Sequence, residues 1–195
     1  MEHPAESPVS TTEVLALLEQ TGAVCRGHFQ LSSGRHSPVY VQCAQVLQYP
    51  AHAGRLVAGL LGRVTADRIA TVVAPALGGI VLGYELARQL GTRALFVERD
   101  AEGRFALRRG FRLAPGERVL VAEDVLTTGG SIQETLAVVR AAGAEVVGIA
   151  ALVDRSGRGV ESDVPVWSLV QLELETYAAT DCPLCRAGRP LEKPG

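Results

Sequence analysis

The sequence predicts an α/β fold, with a largely parallel central sheet flanked by helices. Short apolar runs of strand length recur at residues 69–74, 94–98, 118–122 and 146–153, and helical spacing of apolar residues fills 79–90 and 130–142 between them. A strand, a helix and a second strand in succession return the chain in one direction, so each such unit adds a parallel strand. In addition, 47% of the 195 residues are hydrophobic, enough to cover a sheet on both faces.

Ser10-Thr-Thr-Glu13 has the spacing of a capping box, and Val14, Leu15, Leu17 and Leu18 follow at helical intervals, predicting a helix over 11–20. Residues 24–40 hold two short extended segments around Ser32-Ser33-Gly34-Arg35, the composition of a hairpin turn. The amphipathic stretch 51–64 is a helix. The run 69–74 is a strand stopped by Pro75, and Gly78-Gly79 lead into the helix over 79–90. After the strand at 94–98, the alternation within 102–112 predicts an exposed, mobile hairpin. Strand 118–122, helix 130–142 and strand 146–153 complete the alternation, and 164–172 adds a late strand. Residues 1–10 read as a flexible tail; Pro183, Gly188, Pro190 and Pro194 mark 178–195 as an irregular segment packed over the body.

One domain, 1–195, accounts for this length, and no repeat or low-complexity tract divides it. A net charge of −2 and a pI near 6.1 argue against a nucleic-acid-binding surface, which shows as a basic stripe. No apolar run reaches membrane-spanning length, and the N-terminus lacks the basic-then-apolar order of a secretion signal, so a cytoplasmic location is expected. Lys193 is the only lysine. Cationic contacts inside the fold are therefore expected from arginine, histidine or backbone amides, arginine being suited to planar bidentate recognition. Of Cys25, Cys43, Cys182 and Cys185, the last two form Cys-Pro-Leu-Cys, half of a zinc-ribbon pattern. The pair reads first as reduced and structural. Zinc or redox chemistry is the alternative, a zinc site needing Cys25, Cys43, a histidine or another subunit to complete it.

The strongest chemical signal is Val119-Leu-Val-Ala-Glu-Asp-Val-Leu-Thr-Thr-Gly-Gly-Ser131. Glu123 and Asp124 fall at the carboxyl end of a predicted strand, where open α/β sheets bind ligands. Thr127 to Ser131 bring hydroxyls, small residues and amide groups to a helix N-terminus, which favours phosphate. Acids beside a phosphate site make sense if the ligand also offers ribose hydroxyls and a bridging magnesium ion. No Gly-Lys-Ser/Thr occurs, so this is no P-loop, and a dinucleotide fingerprint lacks the acids. A bare strand, turn and capped helix does not require two adjacent acids.

These residues resemble the phosphoribosyl pyrophosphate (PRPP) signature of type I phosphoribosyltransferases, and the resemblance implies that fold. Ala74-Pro-Ala-Leu-Gly-Gly-Ile80 is a second strand, turn and helix start; alone it is a simple turn, but beside the signature its Ala76, Gly78 and Gly79 are implied to bind the second phosphate group of PRPP. Phe29-Gln-Leu-Ser-Ser-Gly-Arg-His-Ser-Pro-Val-Tyr40 is similar to the N-terminal hood of the orotate phosphoribosyltransferase family, here residues 22–45, which purine enzymes generally lack. Ala151-Leu-Val-Asp-Arg-Ser-Gly157 places Arg155 at a strand end, suited to a planar anionic pyrimidine; the alternative is an ion pair with Asp154 or Glu161.

The resemblance spans roughly residues 14–170 and implies transfer of 5-phosphoribosyl from PRPP to N1 of orotate, giving orotidine 5'-phosphate and pyrophosphate in UMP biosynthesis. It assigns Asp124 and Glu123 to the ribose hydroxyls and the cation-like transition state. Val125, Leu126, Thr127, Thr128, Gly129, Gly130 and Ser131 fall to PRPP, and Arg99 to PRPP and catalysis. Ser33, Gly34, Tyr40, Thr127 and Arg155 fall to orotate. Magnesium is implied as the cofactor, held mainly by PRPP near Asp124 with no direct protein ligand. A homodimer is implied, with the loop 99–112 reaching the neighbouring site, and the partners are small molecules, neither nucleic acid nor membrane. The chain departs from many members in having Ser32 and Gly78 where they carry lysine. Arg99 is followed by Asp100 rather than lysine, leaving Arg99, Arg104, Arg108 or Arg109 for pyrophosphate. The rivals are a purine or xanthine phosphoribosyltransferase and a PRPP-sensing regulator without turnover.

Overall fold

A computed structural model describes residues 9–31, 33–157 and 159–194, so most of the expected N-terminal tail and Ser32 lie outside the described residues. Helix α1, Thr11–Gln20, opens on the predicted capping box, in which Glu13 N donates to Ser10 Oγ and Ser10 N to the Glu13 carboxylate. Strands β1, Val24–Gln30, and β2, His36–Val41, form an antiparallel hairpin separate from the main sheet, with a bulge between Arg26 and Phe29. A one-turn helix α2, Ala44–Leu47, precedes α3, Pro50–Leu61. The predicted end at 64 is three residues too long, since Gly62 caps α3.

The main sheet is built from β3, Thr71–Pro75; β4, Arg93–Arg99; β5, Phe105–Leu107; β6, Arg118–Leu126; β7, Glu145–Asp154; and β8, Val166–Gln171. Helix α4, Gly79–Leu90, joins β3 to β4, and α5, Gly130–Ala141, joins β6 to β7. The order is β5-β4-β3-β6-β7-β8, parallel except that β5 runs against β4. Strand periodicity divides the core. Leu120 and Ala122 pack with Leu56, Leu60, Leu82 and Leu86 on one face, and Val119 and Val121 pack with Ile132, Leu136 and Val139 on the other. None of the described helices is long and apolar enough to cross a membrane.

Two features place the site. From β3 the chain crosses to β4 on one side, while from β6 it crosses to β7 on the other, so strand order reverses between β3 and β6 and a crevice opens at their carboxyl ends. Strand β6 also outruns β3: the two pair only as far as Val121, whereas β6 and β7 stay paired to Leu126. This corrects the predicted end at 122. Glu123 and Asp124 belong to the strand, because β7 supplies hydrogen-bond partners after β3 has turned away at Pro75.

Two other expectations change. Within 102–112 only β5 pairs with β4, the pairing ends at Leu107, and Arg109 takes a positive φ of 56° two residues later. The tail contains a 3-10 turn at Ala179–Asp181 and a short helix α6, Pro183–Arg186, and it lies on the hairpin through bridges from Phe29 to Glu192 and from His36 to Tyr177.

Candidate active site

Glu123 and Asp124 line a cleft of about 550 Å³ in the crevice between β3 and β6. The Asp124 amide donates to Glu123 Oε1 at 3.2 Å, and the Val125 amide donates to Asp124 Oδ1 at 2.9 Å. Burial pushes both carboxyl groups up, and the Asp124 charge drives Glu123 further, to about 9. Two hard oxygen donors held out of water would be favoured in their charged form by a divalent cation beside them, so the residues fit a hard metal ion.

The sign of the linkage follows. Glu123 titrates higher folded than unfolded, so its stabilising contribution is complete below its ordinary value of 4.5 and is lost as pH rises through about 9. Thermal unfolding of the ligand-free protein across that window is expected to show stability falling with pH, and Glu123→Gln is expected to flatten the curve. An unchanged curve in the variant would place the titration elsewhere.

Gly78 is the close neighbour of the pair. A Cβ there would lie 2.9 and 3.0 Å from the Asp124 carboxylate oxygens. Its backbone is helical, φ −55°, so substitution adds bulk without backbone strain. Gly78→Ala is expected to keep the thermal midpoint while lowering kcat/KM about tenfold, as a carboxylate displaced by less than 1 Å loses its alignment. Normal activity would show that Asp124 has room to move.

Beyond β6, Thr127, Thr128, Gly130 and Ser131 are exposed around a second recess of about 270 Å³ that adjoins the cleft. Gly129 is the N-cap of α5, has φ 80°, and makes no side-chain cap, so the first amides of the helix remain available to an anion. Gly129 is required doubly, because a Cβ there would also meet Val160 Cγ1 at 2.6 Å.

Arg155 closes the cleft from the end of β7. Its amide donates to Leu126 O at 2.7 Å, but its buried Nε has no partner among the described residues. Neither ion pair weighed for it is found among the described residues, and Asp154 Oδ1 accepts from Ser156 N and Oγ instead. Tyr40 faces the same space from β2. Cys43 is buried behind Asp124, its thiol pushed well up by burial and by the two carboxylates, and Sγ donates to Asp124 O at 3.7 Å. It is an inert wall.

The description "Phosphoribosyl transferase domain" matches residues 43–184. An orotate phosphoribosyltransferase of Pelotomaculum thermopropionicum is 50% identical, and one of Caldanaerobacter subterraneus subsp. tengcongensis 48%, each match covering 94% of this chain and 96% of the relative. The chain belongs to the orotate phosphoribosyltransferase family. The crystal structure of an orotate phosphoribosyltransferase from Aeropyrum pernix superposes with a TM-score of 0.68 at 31% identity, covering 82% of this chain and 94% of that one. The architecture is the type I phosphoribosyltransferase fold.

The structure brings most of the residues expected from an orotate phosphoribosyltransferase to one place. Ser33, Tyr40, Ala76, Gly78, Glu123, Asp124, Val125, Thr127, Thr128, Ser131 and Arg155 line the cleft, and Leu126, Gly129 and Gly130 line the adjoining recess. Three do not join them. Gly34 is an exposed turn residue with φ 77°, and Gly79, the first residue of α4, is buried against Ala74 and Pro75. Arg99 pairs with Glu134 at 3.0 Å and lies 4.2 Å over the Phe105 ring, although Glu134 itself borders the recess. Arg104 pairs with Asp100 and Arg109 with Glu98, while Arg108 donates to Arg99 O.

Lys193 also lines the cleft beside Pro194, a cation in addition to those expected from arginine, histidine or amides. Arg35 lines it as well, its guanidinium donating to Thr176 Oγ1 and O. Arg35 lay within the hood motif but had no role assigned there, and Lys193 lay in no motif; the tail reaches the cleft beside its pairing with the hairpin.

Proposed function

We propose that the protein transfers the 5-phosphoribosyl group of PRPP to N1 of orotate, releasing pyrophosphate and forming orotidine 5'-phosphate for UMP synthesis. The carrying observation is that the guanidinium of Arg155, whose buried Nε has no partner among the described residues, shares a cleft with an acidic pair and lies beside a helix N-terminus without a side-chain cap. An anionic planar base, a ribose and a phosphate each find their complement there.

In this reading the bond from C1 of the sugar to pyrophosphate breaks as the bond to N1 forms, through a cation-like sugar. Asp124 and Glu123 hold the ribose hydroxyls and stabilise the positive charge, the turn from Thr127 to Ser131 holds the 5'-phosphate, and Arg155 with Tyr40 orients orotate. Backbone groups of Ala76 and Gly78 face the pyrophosphate. Magnesium, when bound near Asp124, neutralises the leaving group. Arg99 reaches pyrophosphate once released from Glu134. Residues 1–195 act as one domain in the cytoplasm, a compartment suited to four cysteines without a disulfide.

The working form is a homodimer. Leu77, Val81 and Tyr84 are 83%, 47% and 64% exposed along one side of α4 and its entry turn, an apolar stripe beside the cleft. Val81→Asp with Tyr84→Glu is expected to give a monomer by light scattering; an unchanged mass would move the interface elsewhere.

The functional test follows orotate absorbance with PRPP and magnesium, with adenine, hypoxanthine and xanthine in parallel. Turnover of orotate alone is the expected result. Turnover of a purine base alone would overturn the assignment.

A further inference from the structure

Two histidines of the hairpin and the two cysteines of the tail converge at one point, away from the cleft. His28 Nε2 lies 3.0 Å from His36 Nδ1. Cys182 Sγ is 3.4 Å from His28 Nε2, and Cys185 Sγ is 3.6 Å from His28 Nε2 and 3.3 Å from His36 Nδ1. All four atoms lie within 4.8 Å of one another. We propose that His28, His36, Cys182 and Cys185 bind a zinc ion in a closed, structural, tetrahedral site.

The dimensions suit that ion. With zinc–nitrogen and zinc–sulfur bonds of about 2.0 and 2.3 Å, neighbouring ligand atoms of a tetrahedron stand roughly 3.3–3.8 Å apart. The cysteines have knuckle spacing, separated by Pro183 and Leu184. His28 Nδ1 lies 3.0 Å from Arg189 O, so its proton goes to that carbonyl and the Nε2 lone pair turns toward the other three atoms. Hydrogen bonding alone serves the group poorly, because that one lone pair faces a nitrogen and two sulfurs while accepting a single proton. His28, His36 and Cys182 are buried, and the exposed Cys185 leaves a path of entry.

The ion would clamp the tail to the hairpin. Glu192 N donates to His28 O and Gln30 N to Glu192 O beside it, and the next two residues, Lys193 and Pro194, form part of the cleft wall. The site holds the mouth of the cleft in shape and takes no part in the chemistry at Glu123 and Asp124.

The test is metal analysis and zinc-edge X-ray absorption on untagged full-length protein, reloaded with zinc under thiol reductant. The expected result is about one zinc per chain, with two sulfurs near 2.3 Å and two nitrogens near 2.0 Å. Chelation is expected to lower the thermal midpoint by about 10 °C, reversibly on adding zinc, and Cys182→Ser with Cys185→Ser to abolish binding. Because that variant risks misfolding, cobalt(II) loading of the wild type supplies a second readout, the visible spectrum of tetrahedral thiolate-bound cobalt. Far less than one zinc per chain after reloading, zinc without sulfur ligands, or a Cys182–Cys185 disulfide persisting in reductant would each overturn the proposal.

Discussion

Asp124→Asn is expected to lower kcat by about 10²–10³-fold, the range associated with losing one preorganised electrostatic contact to a transition state. The substitution keeps shape and keeps an oxygen to accept the Val125 amide, so the end of β6 has no reason to rearrange. In the proposed mechanism what disappears is a negative charge beside the sugar carbon at the moment it becomes cationic. The fold gains by it: Glu123 loses the neighbour that helps push its carboxyl up, and the thermal midpoint at neutral pH is expected to hold or rise. Steady-state kinetics with saturating substrates, paired with thermal unfolding, separates the two effects. A kcat within threefold of wild type would remove the acidic pair from the mechanism.

Arg155→Ala is expected to raise the KM for orotate by about 100-fold and the KM for PRPP by less than threefold, consistent with losing hydrogen bonds to a charged partner at ~1.5–3 kcal/mol each. The asymmetry follows from position. The guanidinium stands at the Tyr40 side of the cleft, its Nε has no partner to lose among the described residues, and the loop is fixed by the Arg155 main chain rather than its side chain. Arg155→Lys is expected to recover only part of the loss, since an ammonium lacks the planar fork. Equal rises for both substrates would make the residue structural.

The sheet was legible because its signal is local. Apolar runs such as 118–121 and 146–153 announce buried strands, and Ser10 with Glu13 announces a helix start, through spacing alone. The end of β6 was misplaced for a reason that is not local: Glu123 and Asp124 look like the close of a strand, and only the length of β7 keeps them in one. The candidate site divides in the same way. Its acids, phosphate turn and Arg155 sit at strand ends and could be read from the chain. Lys193 and Arg35 could not, since their positions depend on contacts between segments about 140 residues or more apart. The arginines at 99–109 show a third case, in which residue type suggested ligand binding and the structure pairs them instead with Glu134, Asp100 and Glu98. Ion pairs whose arginines are this exposed are weak enough to exchange for the pyrophosphate of the proposed reaction.

The pairing of hairpin and tail carries a consequence for the order of folding. Strands β1 and β2 emerge early in synthesis, yet His36 bonds to Tyr177 and Phe29 bridges to Glu192, partners that are translated only after the whole main sheet. An isolated two-stranded hairpin is marginal in water, so it must wait. The sheet is free to condense from neighbouring β–α units while these longest loops remain open, and closing them comes late because distant contacts form slowly. The complete cleft is therefore acquired last, and a nascent chain halted before residue 177 would hold the recess at the start of α5 without the tail residues that line the cleft beside it.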